Sequence, residues 1–327
     1  MSELPSESFF PIEEPGLEEL YLTYKPLLLS LGYKLLGSRT EAEDAVHDVF
    51  LSLRQSAHEP LRHPKAYLVK LLTNRCLNLL KAGRRRRETY PGSWLPEPDF
   101  SVADHPGAEG RDPGEPGEQL ILRETVSYAL LVLLQELTPQ ERAVFVLRES
   151  LGYDYKELAA LLNKTEPSCR KLFSRAKAKL GKSGPPVEKP PADAEAFIRT
   201  FLEAAASGRF EPFVRLLAEE AVMVSDGGGK VRSALVPIEG RARIGAFFTG
   251  IRKKGSLHGS VRPVPGNGPA SFVLDRPGRP PFVFSFAWTA DGSRISAIYL
   301  LSNPDKLTLL PPLGESGALP PGPLLPE

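Results

Sequence analysis

Three consecutive glycines between Asp226 and Lys230 are the residues of this chain that most resemble a phosphate-binding loop. A P-loop needs a glycine five positions before the glycine that precedes the lysine, and a Ser or Thr directly after the lysine. Those positions hold Val224 and Val231, and Arg232 stands where the dinucleotide-binding fingerprint needs its third glycine. The pattern therefore excludes a nucleotide site. It indicates a turn in which glycines supply positive φ angles, namely Gly227, Gly228 and Gly229.

Two separated basic segments are the second feature that could bind a charged ligand. Residues 61–90 carry nine Lys or Arg and one acidic residue, and residues 164–182 carry seven and one, in a chain of net charge +1. Residues 1–60 have the opposite balance, with eleven acidic and four basic side chains. Two such segments in a nearly neutral chain indicate phosphate contacts at two places, as on a nucleic acid.

Pro/Gly-rich stretches divide the chain into three predicted folded units. Residues 91–118 hold eleven Pro or Gly and seven acidic side chains, which is the composition of a linker. A second linker is predicted at 181–193 and a Pro/Gly-rich tail at 311–327. The folded units are expected at 12–90, 119–180 and 194–310.

Two amphipathic helices are predicted in the first unit. In residues 41–53 apolar side chains recur every three or four positions, and an acidic stripe lies on another face. In residues 66–87 the expected buried stripe is Leu68, Leu72, Cys76, Leu79 and Leu80. The opposite stripe combines an aromatic ring, amides and cations, which suits unpaired bases and phosphates. It consists of Tyr67, Lys70, Asn74, Asn78 and Lys81 and continues into Arg84 to Arg87.

The second unit has the pattern of a helix-turn-helix. Capping boxes are predicted at Thr138–Glu141 and Asp154–Glu157. The second box starts a short helix that ends near Asn163, and a tight turn and a basic helix follow. The side chains expected to face inward are Cys169, Leu172, Phe173, Ala176 and Leu180. Those left to face a major groove are Ser168, Arg170, Lys171, Ser174 and Arg175.

The third unit changes period and predicts an α+β domain. Helical patterns flank residues 221–238, and residues 281–301 alternate around a turn at Asp291 and Gly292. One side of the strand before that turn is expected to carry Phe282, Phe284, Phe286 and Trp288. These rings could line a pocket for a small apolar ligand, although an aromatic stripe at strand spacing is more often core.

Composition predicts a cytoplasmic protein without a disulfide or a metal site. The two cysteines, Cys76 and Cys169, both lie on apolar helix faces and are expected to be core residues. The N-terminal residues are acidic and lack an apolar signal core, and the chain has no apolar run of about 18 residues.

The order of these motifs resembles regions 2 and 4 of the extracytoplasmic-function sigma factors of bacterial RNA polymerase, without a region 3 domain between them. The third unit looks like a SnoaL-like domain of the nuclear-transport-factor-2-like superfamily, a cone-shaped sheet wrapped by helices. A subgroup of these sigma factors carries such a fused domain, with WLPEP, DGGGK and NPDKL motifs. This chain has all three, at Trp94–Pro98, Asp226–Lys230 and Asn303–Leu307. The expected fold class is therefore multidomain, with two all-α sigma domains, a region 2 bundle and a region 4 helix-turn-helix, plus a C-terminal α+β SnoaL-like domain.

The resemblance implies that the partners are promoter DNA and the RNA polymerase core, bound through the clamp helices and the flap of its large subunits, with no membrane partner and no cofactor. The residues implied for the polymerase are Asp44, Asp48, Val49 and Phe50. Those implied for the minus-10 element are Tyr67, Lys70, Asn74, Arg75, Asn78, Arg84 and Arg85, beside a loop at residues 55–64 that would trap a flipped base. Those implied for the minus-35 element are Ser168, Arg170, Lys171, Ser174 and Arg175.

The three short motifs are implied to form a regulatory contact between the C-terminal domain and the sigma core. In this interpretation Trp94 is an aromatic anchor, Asp226 and Lys230 are rim charges, and the glycines permit close approach of the backbone. The full set is Trp94, Pro96, Asp226, Gly227, Gly228, Gly229, Lys230, Asn303, Pro304, Asp305 and Lys306.

Two alternatives come from other functional classes. A one-component regulator would use the helix-turn-helix without polymerase and a ligand-sensing C-terminal domain, but it would need neither the acidic helix nor the minus-10 segment. An enzyme tethered to DNA would need an acid-base pair in the C-terminal domain. That domain has one histidine, His258, and its aspartates lie in turn-like contexts, which favours a chain that is not an enzyme.

Overall fold

The computed structural model describes residues 14–56, 61–100, 127–182, 194–264 and 271–311. The chain divides into two compact units. The first contains residues 1–84, 112–124 and 134–179, and the second contains residues 85–111, 125–133 and 180–327. The second unit therefore includes residues 91–100, from the stretch with linker composition, as well as the C-terminal domain.

The described residues 14–56 and 61–100 contain three helices, which are α1 (Glu14–Leu36), α2 (Arg39–Ser56) and α3 (Pro64–Glu88). At the start of α2 the Ser38 hydroxyl accepts a hydrogen bond from the Glu41 amide at 3.0 Å, which satisfies one free donor of the first turn. The apolar stripe predicted for α3 is buried at Leu68, Leu72, Cys76 and Leu80, and Leu79 is half-buried. The two amphipathic faces are thus confirmed.

The described residues 127–182 contain four helices, which are α4 (Tyr128–Gln135), α5 (Pro139–Leu151), α6 (Tyr155–Leu162) and α7 (Glu166–Lys182). Both predicted capping boxes are present, at Thr138 with Glu141 and at Asp154 with Glu157. Gly152 ends α5 at φ 70° and Asn163 ends α6 at φ 50°, both left-handed, so each helix stops where its C-cap residue turns the chain. Helices α6 and α7 form the predicted helix-turn-helix.

A buried arginine joins α5 to the first helix of the same unit. The Arg142 side chain donates hydrogen bonds to the carbonyls of Leu35 at 2.6 Å and Leu137 at 3.4 Å. The Leu35 carbonyl lies in the last turn of α1, where backbone acceptors lack partners within the helix and the macrodipole favours a cation. Lys34 adds a hydrogen bond from Nζ to the Ser150 hydroxyl at 3.2 Å. The two helical segments therefore share one compact unit.

The C-terminal domain contains a six-stranded sheet in the order β2-β1-β6-β5-β4-β3. The strands are β1 (Leu217–Asp226), β2 (Ile238–Glu239), β3 (Ser260–Pro263), β4 (Phe272–Arg276), β5 (Arg279–Trp288) and β6 (Ile295–Leu301). Strand β1 runs parallel to β6, and the other neighbouring strands are antiparallel. The predicted turn at Gly292 is confirmed, with φ 68° between β5 and β6.

Helices α8 (Ala194–Ser207), α9 (Glu211–Arg215) and α10 (Arg241–Lys253) pack on one face of this sheet. Phe201 of α8 lies with its ring centroid 5.1–5.2 Å from those of Phe213, Phe248 and Phe284. The alternation predicted for β5 is confirmed, because Phe282, Phe284, Phe286 and Trp288 all belong to or pack against this core. The α+β prediction for the third unit is also confirmed.

The opposite face of the sheet is covered by residues from the linker and from the start of α4. Leu95, Phe100, Tyr128 and Ala129 are buried there against sheet side chains such as Val283. Burial of these apolar side chains removes the second sheet face from water. The C-terminal domain is therefore completed by residues far before it in the sequence.

Candidate regulatory site and nucleic-acid interface

Parallel pairing of β1 with β6 brings the DGGGK and NPDKL motifs together. The last paired residues of the two strands are Asp226 and Leu301. Because the strands run in the same direction, the residues that follow each of them leave the sheet at the same edge. The loop at 227–230 and the short 3-10 helix Pro304–Lys306 are therefore neighbours.

The carboxylate of Asp226 accepts four hydrogen bonds and is fully buried. Its Oδ1 accepts from the Tyr90 hydroxyl at 2.6 Å and from the Gly228 amide at 2.9 Å. Its Oδ2 accepts from the Leu95 amide at 2.9 Å and from Lys306 Nζ at 2.7 Å. A buried charge is tolerated only when it is paired and hydrogen-bonded, so this arrangement fixes the residues that supply the donors.

Lys306 is the counter-ion, and its side chain is 8% exposed. Besides the bond to Asp226, its Nζ donates to the Leu95 carbonyl at 2.6 Å. The ammonium also lies 4.0 Å from the centroid of the Trp94 ring and 4.9 Å from that of Tyr90, which are cation–π distances. This lysine of the NPDKL motif thus contacts both Asp226, the first residue of the DGGGK motif, and the linker.

Tyr90, which lies just before the linker, contacts both the DGGGK motif and the NPDKL motif. Its hydroxyl donates to Asp226 and accepts a hydrogen bond from Asn303 Nδ2 at 2.9 Å. Asn303 in turn accepts from the Asp305 amide at 3.1 Å and so caps the short 3-10 helix. Burial, and then the hydrogen bond to the Asp226 carboxylate, raise the pKa of Tyr90, because both disfavour a second negative charge.

The glycines of the motif are required by close contacts. Gly228 and Gly229 have φ values of 61° and 73°, in the left-handed region. A Cβ at Gly228 would meet the Asn303 amide group, and one at Gly229 would lie 2.7 Å from Cγ of Pro91. A Cβ at Gly227 would meet the Val231 carbonyl. The turn interpretation of DGGGK is consistent with this geometry, and the turn packs directly against the linker and against Asn303.

Lys230 and Asp305 lie at the exposed rim of this arrangement. Lys230 Nζ is 2.6 Å from Asp305 Oδ1, and the side chains are 56% and 62% exposed. The rim charges of the two motifs therefore pair with each other at the surface, where an ion pair contributes little to stability.

The WLPEP motif is anchored at a second point. The Pro96 carbonyl accepts a hydrogen bond from the buried hydroxyl of Tyr128 at 2.7 Å, and the Tyr128 ring makes an edge contact with Tyr299 at 5.6 Å. We call the linked group the clasp. It consists of Tyr90, Trp94, Leu95, Pro96, Tyr128, Asp226, Asn303 and Lys306.

The helix-turn-helix presents the predicted surface. On α7 Arg170, Lys171, Ser174 and Arg175 are exposed, whereas Ser168 is half-buried. Cys169, Phe173 and Ala176 are buried, and Leu172 and Leu180 are half-buried. Arg170 pairs with Glu166 at 3.1 Å, and its guanidinium lies 5.3 Å from the centroid of the Tyr155 ring.

The residues of α3 predicted to contact the minus-10 element differ in solvent exposure. Tyr67 and Asn78 are exposed, and Lys70 and Asn74 are half-buried. Arg75 forms an ion pair with Asp48 of α2, so a predicted promoter contact and a predicted polymerase contact bind each other. The side chains of Arg84 and Arg85, and residues 57–60 of the preceding loop, lie outside the described residues.

The polymerase residues predicted on α2 also differ in accessibility. Asp44 is exposed and Asp48 is half-buried, whereas Val49 and Phe50 are buried within the helical core. The Phe50 ring makes an edge contact with Tyr21 at 5.0 Å. Asp48 and Val49 line a surface cavity of about 360 Å³ together with Gln55 and Arg75.

The cysteines lie where the sequence indicated. Burial raises the pKa of the Cys76 thiol to about 12 and also raises that of Cys169. Within the described ranges, no three His, Cys, Asp or Glu side chains are grouped so that they could hold a metal ion. In the same part of the chain, no helix combines the length and the apolar character that crossing a bilayer requires.

Comparison with known proteins matches both helical segments to sigma factors. A family model described as Sigma-70 region 2 matches residues 20–86, and one described as Sigma-70, region 4 matches residues 127–180. The ECF RNA polymerase sigma factor SigJ of Mycobacterium tuberculosis is 28% identical over 303 residues, which are 90% of this chain and 94% of SigJ. The chain therefore carries both Sigma-70 regions, and over nine tenths of its length it is similar to an extracytoplasmic-function sigma factor.

A second relative and a solved structure show how much of the chain is similar to known sigma factors. The probable ECF RNA polymerase sigma factor SigI of Mycobacterium tuberculosis is 28% identical over 194 residues, 59% of this chain and 64% of SigI. The crystal structure of Mycobacterium tuberculosis SigJ aligns with 90% of this chain and 98% of its own, with a TM-score of 0.66 and 24% identity. The predicted architecture, two all-α domains followed by a C-terminal α+β domain, is confirmed.

The clasp lies mostly between and after the two matched regions. Tyr90 and the WLPEP residues fall between residues 86 and 127. The sequence motifs indicated Trp94, Pro96, Asp226, Asn303 and Lys306. They did not indicate Tyr90 or Tyr128, because neither tyrosine lies within a motif. Tyr90 donates its hydrogen bond to Asp226, which is distant in the sequence, and Tyr128 donates to Pro96, at the other end of the linker.

Proposed function

We propose that this sigma factor directs bacterial RNA polymerase to its own class of promoters, and that its C-terminal domain regulates this activity through the clasp. The observation that supports regulation is the buried Asp226–Lys306 pair, which binds the backbone of the linker between regions 2 and 4 at Leu95. The chain acts in the cytoplasm, where polymerase and DNA are found, and it is an initiation factor rather than an enzyme.

Promoter recognition is assigned to two surfaces. Exposed cations and hydroxyls on α7 suit the major groove of the minus-35 element, where each good base contact is worth about 1–3 kcal/mol of discrimination. Tyr67, Lys70, Asn74 and Asn78 suit unpaired bases and phosphates of the minus-10 element. Arg75 and Arg170 each have an acidic partner in the free protein, so DNA binding by either side chain has to replace an ion pair.

Binding to the polymerase core is assigned to the exposed side of α2. Asp44 and Asp48 offer charge for a basic partner such as a clamp helix, while the burial of Val49 and Phe50 makes them supports for the helix rather than direct contacts. Contact with the polymerase flap is assigned to region 4 by the resemblance alone.

The C-terminal domain is assigned a regulatory rather than a catalytic role. The rings that could have lined an apolar pocket pack against one another, with the centroids of Phe282 and Phe284 6.2 Å apart and those of Phe286 and Trp288 6.4 Å apart. This packing favours a core over a site for a small apolar ligand. Regulation through the clasp needs no ligand, because the clasp residues contact the linker directly.

Promoter-directed transcription with purified core polymerase tests the function. The full chain should initiate at specific sites that the core alone does not use, and footprinting should place it on both promoter elements only when polymerase is present. If the chain instead binds duplex DNA specifically by itself and never changes where polymerase initiates, the one-component regulator replaces this proposal.

A matched pair of variants tests the promoter surfaces. Arg175→Ala removes an exposed cation from the predicted reading face of α7, and Lys156→Ala removes an exposed cation from α6, outside the predicted reading set. We expect only the first variant to reduce initiation, by roughly five-fold or more. Equal effects of the two variants would contradict the assignment of the minus-35 surface.

A further inference from the structure

Residues 240–274 of the C-terminal domain form a third basic segment of the chain. They carry six Lys or Arg and no Asp or Glu. The two basic segments predicted to contact promoter DNA, residues 61–90 and 164–182, carry nine and seven cations with one acidic residue each. The charge balance of the third segment is therefore typical of a segment that contacts phosphates.

Helix α10 (Arg241–Lys253) places three of these cations at the surface. Arg243, Lys253 and Lys254, which caps the C-terminal end of the helix, are exposed. Arg243 and Lys254 are eleven residues apart, which is close to three full turns, so they lie on one face and about 16 Å apart along the axis. We call Arg243, Lys253 and Lys254 the basic face of α10.

Two other cations of α10 hold the helix in place. Arg241 pairs with Glu219 of β1 at 2.7 Å. The Arg252 guanidinium donates hydrogen bonds to two carbonyls in the last turn of α8, at 2.7 Å to Ala205 and at 2.8 Å to Ala206. The basic face is thus carried by a helix that is bonded both to a strand and to another helix.

Within the ranges that the structure describes, the cations of the basic face have no acidic partner, and Glu239, four residues before Arg243, forms no ion pair with it. Lys253 and Lys254 stabilise the C-terminal end of α10, where the macrodipole favours cations. Arg243 lies in the first turn, where the macrodipole disfavours a cation and the helix has no acidic residue. Helix stability therefore does not account for Arg243.

Other exposed arginines of the same domain lie in a different charge environment. Arg209 and Arg215 line one surface cavity together with Glu203 and Glu211. Cations and carboxylates are balanced there, so a phosphate would be repelled as well as attracted. The excess of positive charge that suits a polyanion is found at the basic face of α10.

We propose that the basic face of α10 binds the phosphate backbone of promoter DNA and adds a third DNA contact to the two reading surfaces. This inference rests on the proposed function in promoter recognition. Exposed Lys and Arg side chains neutralise phosphates without reading bases, so the contact strengthens binding to any sequence and leaves promoter choice to regions 2 and 4.

The covalent chain keeps this surface close to DNA whenever α7 is bound. Helix α7, the predicted reader of the minus-35 element, ends at Lys182, and α8 begins at Ala194. The eleven residues between them span at most about 40 Å. A tether of this length gives a second contact an effective concentration on the order of millimolar, which is enough to populate weak phosphate contacts.

The salt dependence of DNA binding tests the proposal. Holoenzyme assembled from core polymerase and the full chain is titrated onto a promoter fragment at 50–200 mM salt. Each neutralised phosphate contributes about 0.9 to the slope of log K against log salt, so Arg243→Gln/Lys254→Gln should lower the slope by about 2. Across this range the affinity of the parent should fall about ten-fold more than that of the variant. Arg243→Gln alone should lower the slope by about 1.

A control variant and a second measurement separate this contact from other effects of charge. Arg232→Gln/Arg279→Gln removes the same net charge from exposed positions in the loop after DGGGK and at the start of β5, and it should keep the parent's slope. The affinity of each protein for core polymerase is measured without DNA and should be the same for all. Tryptophan emission during urea unfolding shows that each variant is folded under the assay conditions.

The parent's slope in both α10 variants would overturn the inference, and so would an equal decrease in the control variant, since net charge alone would then be responsible. A loss of affinity for core polymerase with an unchanged DNA slope would also overturn it, because the basic face would then fit an acidic protein surface. In each of these cases promoter-specific initiation by the parent still supports the proposed function. If the parent holoenzyme does not prefer the promoter to a scrambled fragment, it is the proposed function that fails.

Discussion

Replacing Lys306 with methionine is predicted to destabilise the C-terminal unit by about 3 kcal/mol. The Lys306 and Asp226 side chains are 8% and 0% exposed, and removing one partner of such a buried pair costs roughly 3–5 kcal/mol because it leaves an unpaired buried charge. Three donors to the carboxylate remain in the variant, from Tyr90, Leu95 and Gly228. They continue to stabilise the charge, so we expect the lower end of that range.

Tryptophan fluorescence isolates this effect in the full chain. The protein has two tryptophans, Trp94 in the linker and Trp288 in β5, and both belong to the second unit. Urea unfolding followed by their emission therefore reports this unit without a signal from the helices of the first. The midpoint should fall for Lys306→Met, and the emission of the folded variant should also change because the ammonium 4.0 Å from the Trp94 ring is gone.

Lys230→Met is the matched control. It removes the same type of side chain from the neighbouring motif, but its ion pair with Asp305 is exposed on both sides. Exposed pairs are worth about 0–1 kcal/mol, so the control should remain close to the parent. If Lys306→Met costs no more than Lys230→Met, the argument that the clasp is held by a buried ion pair is wrong.

Three other predictions follow from the same geometry. Gly228→Ala should destabilise the unit by about 1–3 kcal/mol more than Gly278→Ala in urea unfolding, because both glycines are left-handed but only the first Cβ would meet another group, the Asn303 amide. The pKa of Tyr90 is raised, so its neutral form stabilises the fold; this contribution is complete below the unfolded tyrosine pKa of about 10 and is lost as the pH rises above it. The free energy of unfolding, measured from pH 8 to 11, should therefore fall less steeply for Tyr90→Phe than for the parent. Equal slopes would argue against the hydrogen bond from Tyr90 to Asp226. Since burial raises the Cys76 pKa to about 12, this thiol should resist alkylation at pH 8 in the folded chain and react after unfolding, as mass spectrometry can show.

The features that were predictable from the sequence depend on residues close together in the chain. The capping boxes at Thr138 and Asp154 join groups three residues apart, and the alternation of β5 follows from the period of a strand. The buried and exposed faces of α7 follow in the same way from helical periodicity. Each of these predictions was correct because the feature depends only on residues that are close together in the sequence.

The clasp could be predicted only in part, because its geometry depends on strand order. The motifs around Asp226 and Lys306 meet because β1 lies parallel to β6, and a pairing between strands separated by most of the domain has no local signal. The same reason applies to the outer sheet face, which Leu95 and Tyr128 cover from positions that precede the domain. The sequence assigned the first to a linker and the second to region 4 because nothing in their immediate neighbours indicates a distant sheet.

The residues predicted to bind the polymerase illustrate a different limit. Periodicity placed Val49 and Phe50 on the apolar face of α2, and the resemblance placed them at the polymerase contact. Both side chains are buried, so the prediction from periodicity agrees with their position in this structure better than the polymerase contact implied by the resemblance. The pairing of Arg75 with Asp48 was not predictable either, since it joins two helices whose relative position the sequence does not determine.

Initiation by the holoenzyme with a weakened clasp tests the central claim most directly. Full-length parent, Lys306→Met and Lys230→Met would be compared for the rate of specific initiation at one promoter, with equal amounts of assembled holoenzyme and at a temperature where all three are folded. The account predicts that Lys306→Met differs from the parent by at least several-fold and that Lys230→Met does not. Three equal rates would contradict the proposed regulation of initiation by the C-terminal domain through the clasp.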